Sequence, residues 1–458
     1  MKTLKRIEIT VILLLVAIII FASFFGVYKK EDFRAVNIIK DYDLGMQFTD
    51  ARILKMTVST EENEIIYDQE GNIVENDGET EYTAENGYTT ETVKVNEDDA
   101  LTEENYKSTK KILKNRLKGM NVGEYKIDLN KETGEINIKL QENDEIEEIL
   151  YHLEGQGVFT IIDEETEEVL MDNSDVEFAK VIYGASDETG TSTTIYLQIS
   201  FNKEGAKKLE EISKTYVKTT EEQENENGEI EEVDTTKYVS VLLDEETLSS
   251  TYFGETMSTG ELYIPITEVS DNETLMEYGE ELNTIATIIN NGKLPIVYEY
   301  SEETVEPVIK QNMLFIGILV PSVLLLIACI VLVVKFKAKG FVSTFLQIGY
   351  IATLLLVIRY TNVIITVEGI CGIIISIILN YILVYIMLKN LKEKEQIEWN
   401  VIGKYALRTV PVYVIAVILA FNSLTKINSL GMALVWGSFM LYIYNLVITR
   451  NVLKMMNK

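Results

Sequence analysis

Histidine and cysteine are almost missing from this 458-residue chain, and their scarcity removes several chemistries. A single histidine, His152, speaks against both a Cys/His zinc site and a Ser-His-Asp triad. The two cysteines, Cys329 and Cys371, sit in apolar runs, so no disulfide framework holds the polar part together. No G-x-x-x-x-G-K-[ST] loop occurs, which argues against ATP hydrolysis. Positive charge is also short: 41 Lys and Arg face 72 Asp and Glu, a net charge of −31. Phosphate backbones need basic surfaces, so nucleic-acid binding is disfavoured. No cofactor signature is present, and enzymatic activity is not expected.

What is there divides into two parts. Residues 28–312 hold 25 of the Lys and Arg and 67 of the Asp and Glu, a local charge of −42, while the remainder carries +11. A spanning helix needs about 20 mostly apolar residues. Six stretches approach this, at 8–28, 313–334, 341–358, 363–388, 409–424 and 429–448. The fifth is short and begins near Pro411. The first is long for a signal peptide and lacks an A-x-A site, so it reads as an uncleaved anchor. With the N-terminus placed in the cytoplasm, fourteen flanking Lys and Arg fall inside and only Arg359 and Lys426 outside. The expectation is a multi-pass protein of a bacterial cell membrane. Both termini are cytoplasmic in this reading, and the acidic domain is extracytoplasmic.

The acidic domain reads as mixed α+β. Residues 46–59 alternate as a strand. Residues 61–100 lack periodicity and read as a long solvated loop. Thr102 caps a helix that Gly119 stops, with Ile112, Leu113 and Leu117 inward and Lys114, Arg116 and Lys118 at its basic end. A hairpin covers 125–140, followed by a helix over 144–154 and a strand over 157–162. A second group has a strand at 194–201, a helix from Asn202 to Tyr216, and an acidic linker at 219–235. Strands at 238–243 and 262–266, a helix at 271–291 and a return segment at 292–299 complete it. Asp128, Asn130 and Glu132 superficially resemble a calcium loop, but Gly134 falls one place late and Lys139 stands where the closing Glu belongs. A hairpin turn is the plainer reading. The acidic runs read as solvated surface, and 67 acids offer no distinguishable catalytic carboxylate pair.

Intramembrane polar residues carry more information, because they are costly in lipid. Glu368 lies about 7–8 Å inside the outer end of the fourth span at 1.5 Å per residue. It is a candidate proton carrier or an interfacial carboxylate near Arg359. Asn380 is deeper and suits an interhelical hydrogen bond, as do Gln347, Ser376 and Asn445. Gly369, Gly372 and Gly437 suit close helix packing.

The layout of one long outside domain after the first span, then five clustered spans, resembles SecD of the bacterial protein-export machinery. Gly292-Lys-Leu-Pro295 resembles the family's G-x-L-P segment, and Phe201 to Ile212, with Gly205, resembles its F-x-x-x-G-A helix start. Val239 to Asp244 resembles its strand ending in Asp, and Gly369-Ile-Cys-Gly372 its G-I-A-G. The last span, with Gly437, Thr449 and Arg450, resembles the family's terminal T-R. Of the family's G-L-D-L-x-G-G only Asp43-Leu44 remains. Gap-free extension from Gly369 puts Ile382 at the family's intramembrane aspartate, Lys389 at its glutamate and Asn390 at its arginine. The chain is similar to a divergent SecD.

The resemblance implies a ferredoxin-like base, at 31–160 and 236–310, with a head inserted at 161–235. It implies a six-helix membrane bundle of the SecD and resistance-nodulation type, made of a first helix within 1–30 and a five-helix part at 311–458. It also implies a SecF-like six-span partner, the Sec translocation channel and unfolded exported polypeptide as partners. Head motion at the outer face would assist late export and release, reset by proton motive force. The loss at Ile382 weighs against proton coupling within this chain. Rival readings are a resistance-nodulation-type half-transporter for lipid or drug, and a non-transporting anchored scaffold.

Overall fold

The computed structural model describes residues 2–31, 34–74, 82–185, 192–224, 230–394, 397–422 and 424–457. It divides into two compact units, Met1–Ala51 with Val305–Lys458, and Arg52–Thr304.

The second unit is the α+β part. Strands β3 (Ala51–Val58), β7 (Tyr125–Leu129), β8 (Ile136–Gln141) and β18 (Tyr298–Val305) form one sheet in the order β18-β3-β8-β7. Helix α2 (Glu103–Gly119) follows β3, and α3 (Ile146–Glu154) follows β8. Period-2 alternation buries Ile136, Ile138 and Leu140 of β8 on one face. Against them lie Leu113 and Leu117 of α2, Leu150 and Leu153 of α3, and Leu294 and Ile296. Thr102 caps α2 as its position suggests, its side chain accepting the Asn105 amide. This sheet and its two helices form a base with its own core.

Between α3 and β18 an inserted layer is built from two sheets and two helices. One sheet has the order β10-β9-β15-β16, from β9 (Phe159–Asp163), β10 (Val169–Asp172), β15 (Val239–Leu243) and β16 (Glu246–Thr251). The other is β11-β12-β17, from β11 (Val176–Ala185), β12 (Thr193–Phe201) and β17 (Glu261–Val269). Helix α4 (Lys203–Thr215) is capped by Asn202, and α5 (Asn272–Asn291) by Asp271. Phe159, Ile161, Leu197, Ile199, Val241 and Ile264 close one shared core beneath α5. Strands β15 and β17 thus pair with β9 and β12 across the base–head line read at residue 235.

Four local expectations need correction. The first strand begins at Ala51, since 46–49 form a turn. Within 61–100 the chain is no plain loop: β4 (Glu62–Tyr67) pairs with β5 (Ile73–Val74) and β6 (Thr89–Lys94). Thr, Ile and Val set that strand tendency, and the register sets Glu62 opposite Lys94, which offsets the acidic composition. Residues 75–81 lie outside the described residues. The acidic linker at 219–235 contains a hairpin, β13 (Thr220–Glu224) with β14 (Ile230–Asp234), and 225–229 lie outside the described residues. Helix α2 does end at Gly119, but not through a left-handed glycine. That role falls to Asn121, at φ 55°, while Gly119 lets α5 approach, since a Cβ there would stand 2.2 Å from Thr287 Cγ2.

The first unit holds α1 (Lys2–Phe25), a hairpin of β1 (Tyr28–Glu31) with β2 (Arg34–Asn37), and a helical bundle. The bundle comprises α6 (Gln311–Tyr360), α7 (Val367–Lys394), α8 (Trp399–Ala420), α9 (Thr425–Tyr444) and the short α10 (Arg450–Met456). Among the described residues, five helices are long and apolar enough to cross a membrane. The 50-residue α6 is interrupted at Lys337, with φ 50° and ψ −129°. Thr344 Oγ1 lies 3.5 Å from the Cys329 carbonyl, whereas 15 residues of straight helix would separate them by about 22 Å. The chain therefore doubles back at Lys337, between the two apolar runs expected at 313–334 and 341–358. Helix α8 starts ten residues before the stretch at 409–424, and Pro411 lies inside it.

Candidate functional site

Helices α7 and α9 meet along a seam of small residues. A Cβ on Gly369 would come within 2.1 Å of Ser429 Oγ, and one on Gly372 within 2.9 Å of Ala433 Cβ. On the other side, a Cβ on Gly437 would come within 2.0 Å of Ser376 Oγ. The spacing 369, 372, 376 repeats the helical face, so each small residue admits the opposite backbone. Tyr350 closes the seam from α6 by donating its hydroxyl to the Gly437 carbonyl at 2.9 Å.

A chain of neutral amides runs beside the seam. Asn445 donates to Asn380 Oδ1, Asn380 donates to Gln347 Oε1 at 2.6 Å, and Gln347 donates to the Ile377 carbonyl at 3.3 Å. Three helical segments are tied this way. Asn445 opens a single π turn, Asn445–Thr449, in which Thr449 is also buried, and Arg450 starts α10 directly after it. Asn380 is 1% exposed, whereas Ile382, two residues on, is 40% exposed on the opposite side of α7. Ile382, the position expected from the gap-free extension, thus lies on the outer surface of this bundle, while Asn380 faces its interior.

At the start of α7 a different group assembles. Leu44 bridges to Ile365, the Asp43 carbonyl accepts the Ile365 amide at 2.7 Å, and the Asp43 carboxylate pairs with Lys40. Gln47 Oε1 accepts the Val367 amide, and its Nε2 lies 3.4 Å from Glu368 Oε2. Arg359 lies over the Tyr42 ring, 4.0 Å from its centroid. Burial raises the Tyr42 pKa, and the guanidinium opposes that rise. Among the described residues no ion pair joins Arg359 to Glu368; Tyr42 lies against the first and Gln47 against the second.

In the α+β unit, three residues of the resemblance converge where the inserted layer joins the base. Both Asp244 carboxylate oxygens accept backbone amides, from Gly157 and Val158 at 2.8 Å. Gly292 sits at φ 72° and ψ −174°, a region essentially reserved for glycine. Pro295 follows between the buried Leu294 and Ile296. Gly205 lies apart, where a Cβ would meet the Asp175 carbonyl at 2.5 Å as α4 packs on the turn before β11.

The residue at the centre of the junction was missed. Arg116, placed by its sequence in a basic solvated helix end, is 0% exposed. Its Nη1 donates to the carbonyls of His152 and Gly155, and its Nη2 to those of Gln156 and Gly292. Burial pulls its pKa down to about 10, with Asp244 the main opposing charge, so it stays protonated at neutral pH. Its place three residues after Leu113 and beside Leu117, on the inward stripe of α2, was the available signal. His152 is pushed down by burial and contributes a carbonyl rather than its ring. The Asn130–Gly134 segment is a hairpin turn, in which Asn130 Oδ1 accepts the Glu132 amide.

A long α+β unit inserted after the first apolar helix of a helical bundle is a defined architecture, and a solved structure shares it. No family model matches the sequence, and no curated protein does. A crystal structure of SecDF in a super-membrane-facing form matches with a TM-score of 0.58 at 15% identity, over 100% of this chain and 58% of that one. The crystal structure of SecDF from Thermus thermophilus, described as a translocon-associated membrane protein, gives 0.43 at 14% identity, over 99% and 58%. A SecDF structure described as a membrane component that enhances protein export gives 0.31 at 15% identity, over 52% of this chain and 98% of that one. The chain therefore has a divergent SecD-like fold and is a multi-pass membrane protein, and it spans 58% of the length of the first of these structures.

Proposed function

We propose that this chain is a SecD-like, non-enzymatic accessory subunit of the protein translocase, which assists late export and release of secreted proteins at the outer membrane face. The likeness of its fold to SecDF, at a TM-score of 0.58, carries the reading. In this reading a SecF-like six-span half is its partner, and the pair works beside the translocation channel on unfolded exported polypeptide. The doubling back of α6 at Lys337 supports six spans. The distribution of Lys and Arg supports cytoplasmic termini and an outside α+β unit. The strand order β18-β3-β8-β7, with a helix after β3 and after β8, supports a ferredoxin-like base. The inserted layer is then the head, which binds weakly and moves as a body.

Reset by proton motive force would depend on the partner, since the aspartate position here is Ile382 and the bundle interior is neutral at Asn380, Gln347 and Asn445. Depletion in the host tests the proposal. Slowed export and a depleted secreted proteome are expected, with co-purification of a second six-span protein carrying intramembrane charge. Unchanged export kinetics would sink it.

A further inference from the structure

Among the described residues, the polypeptide crosses between base and inserted layer twice, at 155–158 and at 291–296. The crossings are bonded to each other, since the Leu294 amide donates to the Gln156 carbonyl at 2.8 Å. Backbone carbonyls of the first crossing are paired further. The Gly157 carbonyl accepts from Asn173 Nδ2 at 2.9 Å, and the Val158 carbonyl accepts the Asp244 amide at 2.9 Å. Arg116, which belongs to the base, donates to carbonyls of both crossings with one guanidinium. The carbonyls of Gly155 and Gly292 come from the C-terminal ends of α3 and α5, where helix dipoles favour a cation.

The backbone is shaped to admit that group. Gly157 has φ 77°, and a Cβ there would stand 2.2 Å from Arg116 Nη2 and 3.0 Å from the Gly292 carbonyl. Asp244 and Glu245 both hold positive φ, 50° and 70°, in the turn that aims the Asp244 carboxylate at the Gly157 and Val158 amides. A hydrophobic side chain would fill the same space without desolvating a charge, so burial alone does not account for an arginine here. What the guanidinium adds is a fixed fork of donors that reaches both crossings at once.

We propose that Arg116 is a latch: seated, it holds base and inserted layer at one angle, and any reorientation of the layer requires it to leave the carbonyl cage. Gly157 and Gly292 are its seat, and Asp244 holds the first crossing in place. The latch stands whether or not the chain serves protein export.

The test uses the full-length protein in detergent, with C329S and C371S removing the native thiols and spin labels at K126C on β7 and K207C on α4. The parent is expected to give one narrow label-to-label distance. R116M should broaden it or add a second population, and should speed amide exchange at Gly157, Val158 and Leu294 by about tenfold or more, as local opening does. Amides of β8, in the base core, should be accelerated less than these three. R116K, whose single ammonium cannot span both crossings, should fall between. If R116M does not fold, R116K and D244N decide the question by the same two readouts. A narrow distance and parent exchange rates in these variants would overturn the latch. So would equal loosening of β8, which would make Arg116 an ordinary core residue.

Discussion

The membrane bundle and the α+β unit both bury polar side chains, but in opposite electrostatic form. In the bundle the buried groups are neutral, with Asn445, Asn380 and Gln347 passing hydrogen bonds along a line that ends on a backbone carbonyl. In the α+β unit a full positive charge is buried, and the partners of Arg116 are four carbonyls rather than a carboxylate. An amide costs less than an ion to hold away from water, and small residues let helices approach closely enough to satisfy it. A water-facing unit can bury an ion where helix C-termini are brought together to receive it. The same rule, that buried polar groups need partners, gives close packing in one region and a charged junction in the other.

The largest test of this contrast is Arg116→Met. It leaves four carbonyls without their donor, and a loss of about 3–5 kcal/mol is expected from removing one side of a buried charged arrangement. Thermal unfolding of the α+β signal by circular dichroism measures it, and a loss below 1 kcal/mol, within the range of ordinary surface changes, would erase the contrast. Next comes the seam. Gly437→Ala should cost about 1–3 kcal/mol through overpacking against Ser376. Gly403→Ala, on α8 with no atom within 4 Å of the added Cβ, should be neutral or stabilising by up to about 1 kcal/mol. Melting temperatures in one detergent compare the two.

Asn380→Leu should cost less than Arg116→Met, about 0.6–2 kcal/mol, because it breaks neutral interhelical bonds. A loss as large as that of Arg116 would mean the amide line is no mere packing element. The smallest effect is acid-dependent. Asp163 is held down at about 2, first by the Tyr216 hydroxyl and then by the Thr166 amide. A depressed carboxylate stabilises the fold above its unfolded pKa, about 3.9, and that contribution is lost as pH falls through about 2. Tyr216→Phe should therefore move the acid transition to higher pH, read by circular dichroism between pH 5 and 2.

The sequence was most legible where a local rule acts alone. Asn202 and Thr102 announce their helices because a short polar side chain can accept the first free amides, and both do so. Ile136, Ile138 and Leu140 announce a half-buried strand by alternation. The sheet within 61–100 and the hairpin within 219–235 were hidden because acidic residues lower apparent strand tendency, and in the first the register sets Lys94 across from Glu62 to offset that. Arg116 was hidden because charge on a helix end usually means solvent, and only the approach of α3 and α5 makes it a junction. Tyr42 beside Arg359 and Gln47 beside Glu368 were hidden because each pair lies more than 300 residues apart in the chain.

By itself the sequence determined where the apolar helices lie, that the stretch 28–312 is acidic and its flanks basic, and that the acidic stretch mixes α and β elements. These follow from composition, periodicity and caps, which act over a few residues. Only the tertiary structure decided that α6 doubles back at Lys337, that Ile382 lies on the outer face while Asn380 is interior, and that Asp244, Gly292 and Arg116 meet. Those facts depend on the approach of segments far apart in the chain, and no local propensity carries that information.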